Sequence, residues 1–269
     1  MTTPAPSPAQ IYNDYFGPAM FTPWAKNLVE QSTPSAGERV LDLASGTGLL
    51  TEQIAPHLGE SGSIVGLDFA PPMLAVARNR SISGPSVEWV EASADAIPLP
   101  DDSVDRVYCQ QGFQFFPDRA KAASEVKRVL KPGGSLAISL WASVDEIPLW
   151  HQMFKSISSF LDVPMDVAAK PFTFGGSAPI QTMLEDAGFS DIDITKRSSN
   201  SVFGPPESFV KLTVMGAAAA IPAFGELSDE EKQSLIARVE SENNDLIESA
   251  VQNGNVNMGL TSFTATATA

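Results

Sequence analysis

The run Val40-Leu41-Asp42-Leu43-Ala44-Ser45-Gly46-Thr47-Gly48 constrains the fold more than any other stretch of this chain. A short apolar segment ends in a turn containing two glycines, and Leu49-Leu50 opens a helical pattern straight after it. A strand that passes through a glycine turn into a helix is the first half of a βαβ unit, which needs a parallel partner strand. The chain supplies several. Strands are expected over residues 39–43, 63–68, 87–91, 104–110 and 135–141, and helices over 49–58, 71–80 and 118–130. Pro71-Pro72 opens the second helix, because proline suits the first helical turn, and Lys131-Pro132-Gly133-Gly134 closes the third. These strands are short, β-branched and nearly continuous in apolar content, as in a parallel sheet covered by helices on both faces.

Beyond Trp141 the rhythm changes. An aromatic-rich helix is expected over 146–162 and another over 178–187, stopped by Gly188. A sixth strand follows over 191–196, then two or three helices over 206–250. The Thr-rich tail, 256–269, reads as a last edge strand. At the other end, residues 1–8 are Pro-rich and expected to fray. The aromatic stretch from Ile11 to Trp24 reads as two short helices broken at Gly17-Pro18 and Pro23. Three segments result: 1–37, an N-terminal helical arm; 38–141, the core; and 142–269, the rest of the sheet with inserted helices.

Composition excludes several classes. The net charge of −15 repels phosphate backbones and anionic lipid, so no nucleic-acid or membrane partner is expected. Cys109 is the single cysteine, which rules out an intramolecular disulfide and any thiolate cluster. His57 and His151 are the only histidines, so no metal site is expected. There is no apolar segment of a secretory signal near Met1, and the longest weakly apolar run, 214–224, is about half a membrane span. A cytoplasmic protein is the expectation, with monomer and homodimer both open.

The glycine turn also points to a ligand. Open α/β sheets bind ligands beyond the carboxyl ends of their strands, where glycines let the backbone come close. Asp68, 22 residues after Gly46, ends the second strand, and an acid about 20 residues downstream accepts hydrogen bonds from ribose hydroxyls. The third small residue of a dinucleotide fingerprint is missing, because Thr51 stands there, and no Lys-[Ser/Thr] phosphate loop exists. An adenosine cofactor without a pyrophosphate fits this pattern.

The stretch resembles motif I of class I S-adenosylmethionine (SAM) dependent methyltransferases, V-L-D-x-G-x-G-x-G, with Ala44 in place of the first glycine. Gly66-Leu67-Asp68-Phe69-Ala70-Pro71-Pro72-Met73-Leu74 is similar to the family's G-x-D-x-S-x-x-M-L segment. Ala94-Asp95-Ala96-Ile97-Pro98-Leu99-Pro100 and Val129-Leu130-Lys131-Pro132-Gly133-Gly134 resemble two more motifs, in order. The stretches 15–24 and 110–116 resemble a small-molecule branch of the family. The resemblance implies an α/β, Rossmann-like, doubly wound, mostly parallel seven-stranded sheet with helices on both faces and a helical cap.

For the site, the resemblance implies that Ala44, Ser45, Gly46 and Gly48 back the methionine part of SAM, with Asp42 behind them. Asp68 would hold the ribose, with Phe69 and Met73 against the adenine. Asp95 and the Ala96 amide would meet the adenine edge. Gln110 and Gln111 would face the sulfonium, and Tyr15 and Phe16 would close the pocket from the N-terminal arm. The implied reaction is direct methyl displacement onto a small, largely apolar organic acceptor, with oxygen expected as the methylated atom. Such a reaction needs alignment and exclusion of water more than a base.

Plainer readings stand beside these. Asp42 can simply cap the following turn. His151, the one plausible histidine base, is more often a surface residue, and Cys109 is more often a small core residue. The aromatics Phe113, Phe115, Phe116, Trp141, Trp150, Phe172 and Phe174 can line an acceptor pocket or fill a core. Two other functions remain open: a SAM-binding protein that transfers no methyl, and an NAD(P)-dependent oxidoreductase.

Overall fold

The computed structural model describes residues 6–218 and 221–269. In chain order it contains α1 (Pro8–Ile11), a wide helical stretch (Tyr12–Phe21), α2 (Thr22–Gln31), β1 (Arg39–Leu43), α3 (Leu49–Leu58), β2 (Ser63–Asp68), α4 (Pro71–Ala77) and β3 (Ser86–Glu91). Then come β4 (Val104–Gln110), α5 (Arg119–Val129), β5 (Leu130–Trp141), α6 (Pro148–Leu161), α7 (Met165–Ala168), α8 (Ser177–Asp186) and β6 (Ser190–Val202). The chain ends with α9 (Pro206–Ala217), α10 (Pro222–Gly225), α11 (Asp229–Ser249), β7 (Val251–Gln252) and β8 (Asn255–Thr268). The contacts gather into two compact units, each assembled from separate stretches.

The sheet unit comprises Phe21–Ala142, Phe174–Arg197 and Ser262–Ala269. Its strand order is β3-β2-β1-β4-β5-β8-β6, with β6 and β8 running on beyond the unit. β1 pairs parallel with β2 and β4, β2 with β3, and β4 with β5. β5 pairs antiparallel with β8. This is the expected doubly wound α/β class. Period-two alternation sends neighbouring residues to opposite faces. Val40, Ile64, Tyr108 and Ala137 pack with α2 and α3 on one face. Leu41, Val65, Val107, Cys109 and Leu136 pack with α5 and α8 on the other. Among the described residues Cys109 is therefore a core residue, and burial pushes its thiol pKa up.

Three expectations are corrected. The tail is not an edge strand: β8 lies between β5 and β6, and Ser262, Phe263, Thr264 and Ala265 are all buried. α5 does end just before Lys131-Pro132-Gly133-Gly134, at Val129, but β5 starts at Leu130 rather than after that run. The run is carried inside β5 as a bulge, where the pairing with β4 shifts between Val104 and Arg106. Gly133 donates to Ala269 O and Ala269 donates to Gly134 O, so β8 holds the bulge from the other side. Lastly, Gly17-Pro18 does not break the N-terminal helix. The wide turns of Tyr12–Phe21 tolerate a missing N–H, and Pro23 sits in the first turn of α2. Ser7 caps α1, so the chain is helical from Pro8; residues 1–5 lie outside the described residues.

The helical unit comprises Met1–Met20, Ser143–Thr173 and Ser198–Thr261. Ser228 and Glu231 form a capping box that starts α11. Asn243 on α11 donates to Ser156 on α6 at 3.2 Å, and Arg238 to Ser159 at 3.0 Å, which ties the two long helices together.

Candidate active site

The turn after β1 is built from three left-handed residues. Ala44 has φ 58°, Gly46 55° and Gly48 81°. The two glycines adopt this freely, whereas Ala44 carries steric strain of about 1 kcal/mol. Ala44 also touches the end of β4. A side chain added at Gly112 would stand 2.7 Å from its Cβ and 2.6 Å from Cys109 Sγ, so Gly112 lets the two loops meet.

Asp68 organises this turn. Its Oδ2 accepts from Gly46 N at 2.8 Å and its Oδ1 from Ala70 N at 2.9 Å. The carboxylate is buried, and burial raises its pKa while the amides of Ala70, Gly46 and Phe69 pull it back. A carboxylate held by backbone amides keeps lone pairs for two hydroxyl donors.

Asp42 is buried behind it. Thr51 Oγ1 donates to Asp42 Oδ2 at 2.5 Å. Burial, together with the charge of Asp68, pushes Asp42 up to about 7. Asp42 Oδ1, Ser45 Oγ and Thr47 Oγ1 are buried without a hydrogen-bond partner. Each such group costs about 1–3 kcal/mol. Two carboxylates and orphaned hydroxyls at one glycine turn suit a polar ligand carrying positive charge and ribose hydroxyls. SAM is of that kind, with its sulfonium, ammonium and adenosine, so these residues fit it.

Trp89 was not singled out in the sequence. It pairs in register with Gly66 of β2. A Cβ at Gly66 would stand 2.3 Å from its ring, and one at Gly48 2.7 Å. The indole thus lies against both glycines and supports the turn. A glycine in mid-strand marks such close approach, and Gly66 was the available signal. Arg80 adds to the support by donating to Thr47 O and Glu52.

The residues expected to meet the adenine lie after β2, on α4 and after β3. Phe69 is 71% exposed and Met73 is half-buried. Asp95 lies half-buried in the loop after β3, which α5 clamps. Glu125 accepts from Ile97 N at 2.9 Å, and Arg128 donates to Leu99 O at 2.8 Å and Ile97 O at 2.9 Å. Hydrogen bonding to Arg128 holds the Glu125 carboxyl below its usual range. The Ala96 amide is engaged within the loop, donating to Ser93 O at 3.1 Å.

The glutamines at the end of β4 serve the protein itself. Gln110 Nε2 donates to Phe21 O at 2.8 Å. Gln111 is buried with φ 55°, donates to Ser262 Oγ at 3.2 Å and accepts from Gln114 at 3.1 Å. The aromatic set divides between the units. Phe113 and Phe116 meet at 4.9 Å in the sheet unit, with Trp141 and Phe174. Trp150 and Phe172 meet at 5.4 Å in the helical unit. Tyr15, Phe16 and His151 also belong to the helical unit. There His151 is over a third exposed and its Nε2 lies 3.6 Å from exposed Asp145. Among the described residues no group of three or more His, Cys, Asp or Glu is placed to hold a metal. No described helix is long and apolar enough to cross a membrane.

A methyltransferase-domain family model matches residues 41–138, from β1 to β5, the span that holds this turn. These residues are a class I, SAM-dependent methyltransferase domain. The chain is 43% identical over 119 residues to a demethylmenaquinone methyltransferase of Thermus thermophilus, covering 43% of this chain and 52% of that protein. A ubiquinone/menaquinone biosynthesis C-methyltransferase of Hahella chejuensis is 37% identical over 131 residues, covering 48% and 53%. The matched stretches thus span about half the length of these relatives. In fold, the chain is similar to phosphoethanolamine N-methyltransferase 2 of Haemonchus contortus, solved in complex with SAM. The TM-score is 0.58 at 19% identity, covering 96% of this chain and 56% of that one.

Proposed function

We propose that this protein transfers a methyl group from SAM to a small, largely apolar organic acceptor. The observation that carries the reading is Asp68: a buried carboxylate at the end of β2 that also holds Gly46 of the motif I turn. In this reading Asp68 receives the ribose hydroxyls. The Ala44–Gly48 turn backs the methionine part, with Asp42 behind it setting the charge. Phe69 and Met73 cover the adenine, and Asp95 accepts from its exocyclic amine; with the Ala96 amide engaged, Asp95 carries that edge alone. Gln110 and Gln111 shape the end of β4 toward the sulfonium. Bound SAM supplies a methyl group already activated by positive sulfur, so the chain's task is alignment and exclusion of water. A dedicated base is not required, and half-buried His151 has no role in the proposal.

Neither the site nor the relatives support oxygen specifically as the methylated atom. The Hahella relative is named for C-methylation, which makes an electron-rich ring carbon the first acceptor atom to assay and a phenolic oxygen the second.

Calorimetry with SAM, S-adenosylhomocysteine and NADH tests the cofactor. Asp68→Ala removes a charge-assisted interaction of about 1.5–3 kcal/mol, so SAM affinity should fall roughly tenfold to a hundredfold. Binding of SAM indifferent to this change would sink the site assignment. Tight NADH binding would revive the oxidoreductase reading. Tight SAM binding with no methylated product from any acceptor pool would favour a SAM-binding protein that does not transfer.

A further inference from the structure

A groove runs between α5 and α8, and none of the residues assigned to the cofactor lines it. The two helices point the same way. Arg119, at the start of α5, sits over the ring of Phe174, just before α8, at 4.6 Å. Lys127, near the end of α5, sits over Phe189, just after α8, at 5.2 Å. The groove measures about 540 Å³, a volume common among small-molecule sites. Buried Phe174 and half-buried Met183 form its base and belong to the core, while Ala120 and Ala178 are exposed along its rim. Arg119 stands at one end and exposed Asp186 at the other. From Ala178 to Asp186 the helix rises about 12 Å. All of these residues belong to the sheet unit.

Arg119 supplies the positive charge of this lining. It is half-buried; its Nε donates to Phe113 O at 3.2 Å and its Nη2 to Gln114 O at 3.3 Å. These two bonds use one edge of the guanidinium. The other edge, Nη1 with the second N–H of Nη2, is a fork that matches a carboxylate. Arg80, Arg106, Arg128 and Arg238 each meet a carboxylate at 2.7–2.9 Å. Among the described residues no carboxylate pairs with Arg119; burial alone acts on it and lowers its pKa. Holding two backbone carbonyls accounts for one edge of the group. It leaves the charge uncompensated beside an apolar surface, which is costly unless a counter-charge arrives.

The net charge of −15 repels anions from the chain at large, so an anion held here is held by this cation. One guanidinium balances one negative charge, which selects against a phosphate dianion. Asp186 selects against a second carboxylate at the far end. The apolar base suits a hydrocarbon body. We propose that the α5–α8 groove binds a small amphipathic monocarboxylate, its carboxylate on the free edge of Arg119 and its hydrocarbon chain along Phe174 and Met183.

The test is calorimetry on the full chain with octanoate, 1-octanol and suberate. Octanoate should bind at least tenfold more tightly than 1-octanol, which lacks the charge, and than suberate, whose second carboxylate would arrive near Asp186. Arg119→Met should weaken octanoate tenfold or more and leave 1-octanol unaltered. Ala178→Trp, on the exposed rim, should block the groove to both ligands, leave SAM affinity as it was and carry the test if Arg119→Met does not fold. Saturation with S-adenosylhomocysteine should leave octanoate binding unchanged. Equal affinity for octanoate and 1-octanol, a preference for suberate, indifference of octanoate to both substitutions, or its displacement by S-adenosylhomocysteine would overturn the proposal. So would a dimer in sedimentation that Ala178→Trp dissociates while octanoate fails to bind, which would assign the groove to a second copy of the chain.

Discussion

Replacing Asp42 by asparagine should make the protein more stable, and increasingly so as the pH rises. Asp42 is fully enclosed, takes one hydrogen bond from Thr51 and faces the charge of Asp68, which together with burial places its pKa at about 7 against an ordinary 3.8. A carboxyl whose pKa is higher in the folded chain holds its proton there after the unfolded chain has lost it. Stability therefore falls as the pH climbs from about 4 to about 7 and is flat above. At 1.36 kcal/mol per pH unit the full cost above pH 7 is about 4 kcal/mol, of which roughly a third is already incurred at pH 5. Asparagine keeps the acceptor for Thr51 and never ionises. Its advantage over the wild type should thus grow by roughly 2–3 kcal/mol between pH 5 and pH 9. For a chain of this size that is about 5–10 °C in Tm. Thermal unfolding followed by circular dichroism at pH 5, 7 and 9 reads it directly. Parallel Tm–pH profiles for the two proteins would show that Asp42 is ionised at little cost, and the account of the turn as strained by two buried carboxylates would fail.

Three further outcomes follow from the same site. Ala44→Gly removes a left-handed alanine at φ 58° and should stabilise the chain by roughly 0.5–1 kcal/mol by chemical denaturation. Gly66→Ala drives a methyl into the Trp89 ring, 2.3 Å away, and should destabilise by about 1–3 kcal/mol. The loss should shrink when Trp89 is also trimmed to leucine, and a purely additive double mutant would refute the contact. Cys109, fully buried with its thiol pKa pushed up, should stay unmodified by iodoacetamide in the native protein and react only on unfolding.

β1, β2 and β4 were legible to the residue because their apolar runs are bounded by turns and buried on both faces, so a local pattern carries the tertiary answer. The tail was harder. Its threonines read as a half-exposed edge, yet β8 has a strand on either side, which only the pairing of distant segments reveals. Proline and glycine misled at Gly17-Pro18 and over the start of β5 for one reason: both stretches break regular geometry, and the chain uses irregular geometry there. At the site, Asp68 and the glycine turn were legible through spacing. The internal use of Gln111 depended on Ser262, 151 residues away, and no local pattern announces that. Trp89 went unseen although Gly66 marked its place.

The chain passes between the two units at residues 20–21, 142–143, 173–174, 197–198 and 261–262. Neither unit is thus a cassette that a single gene fragment encodes. A chimaera that exchanges the helical unit with that of a relative must carry over residues 143–173 and 198–261 together with the N-terminal stretch. An exchange of any one of these alone would mix surfaces selected in different backgrounds. Recombination within this architecture is expected to yield few folded offspring, so new variants should arise chiefly by point substitution.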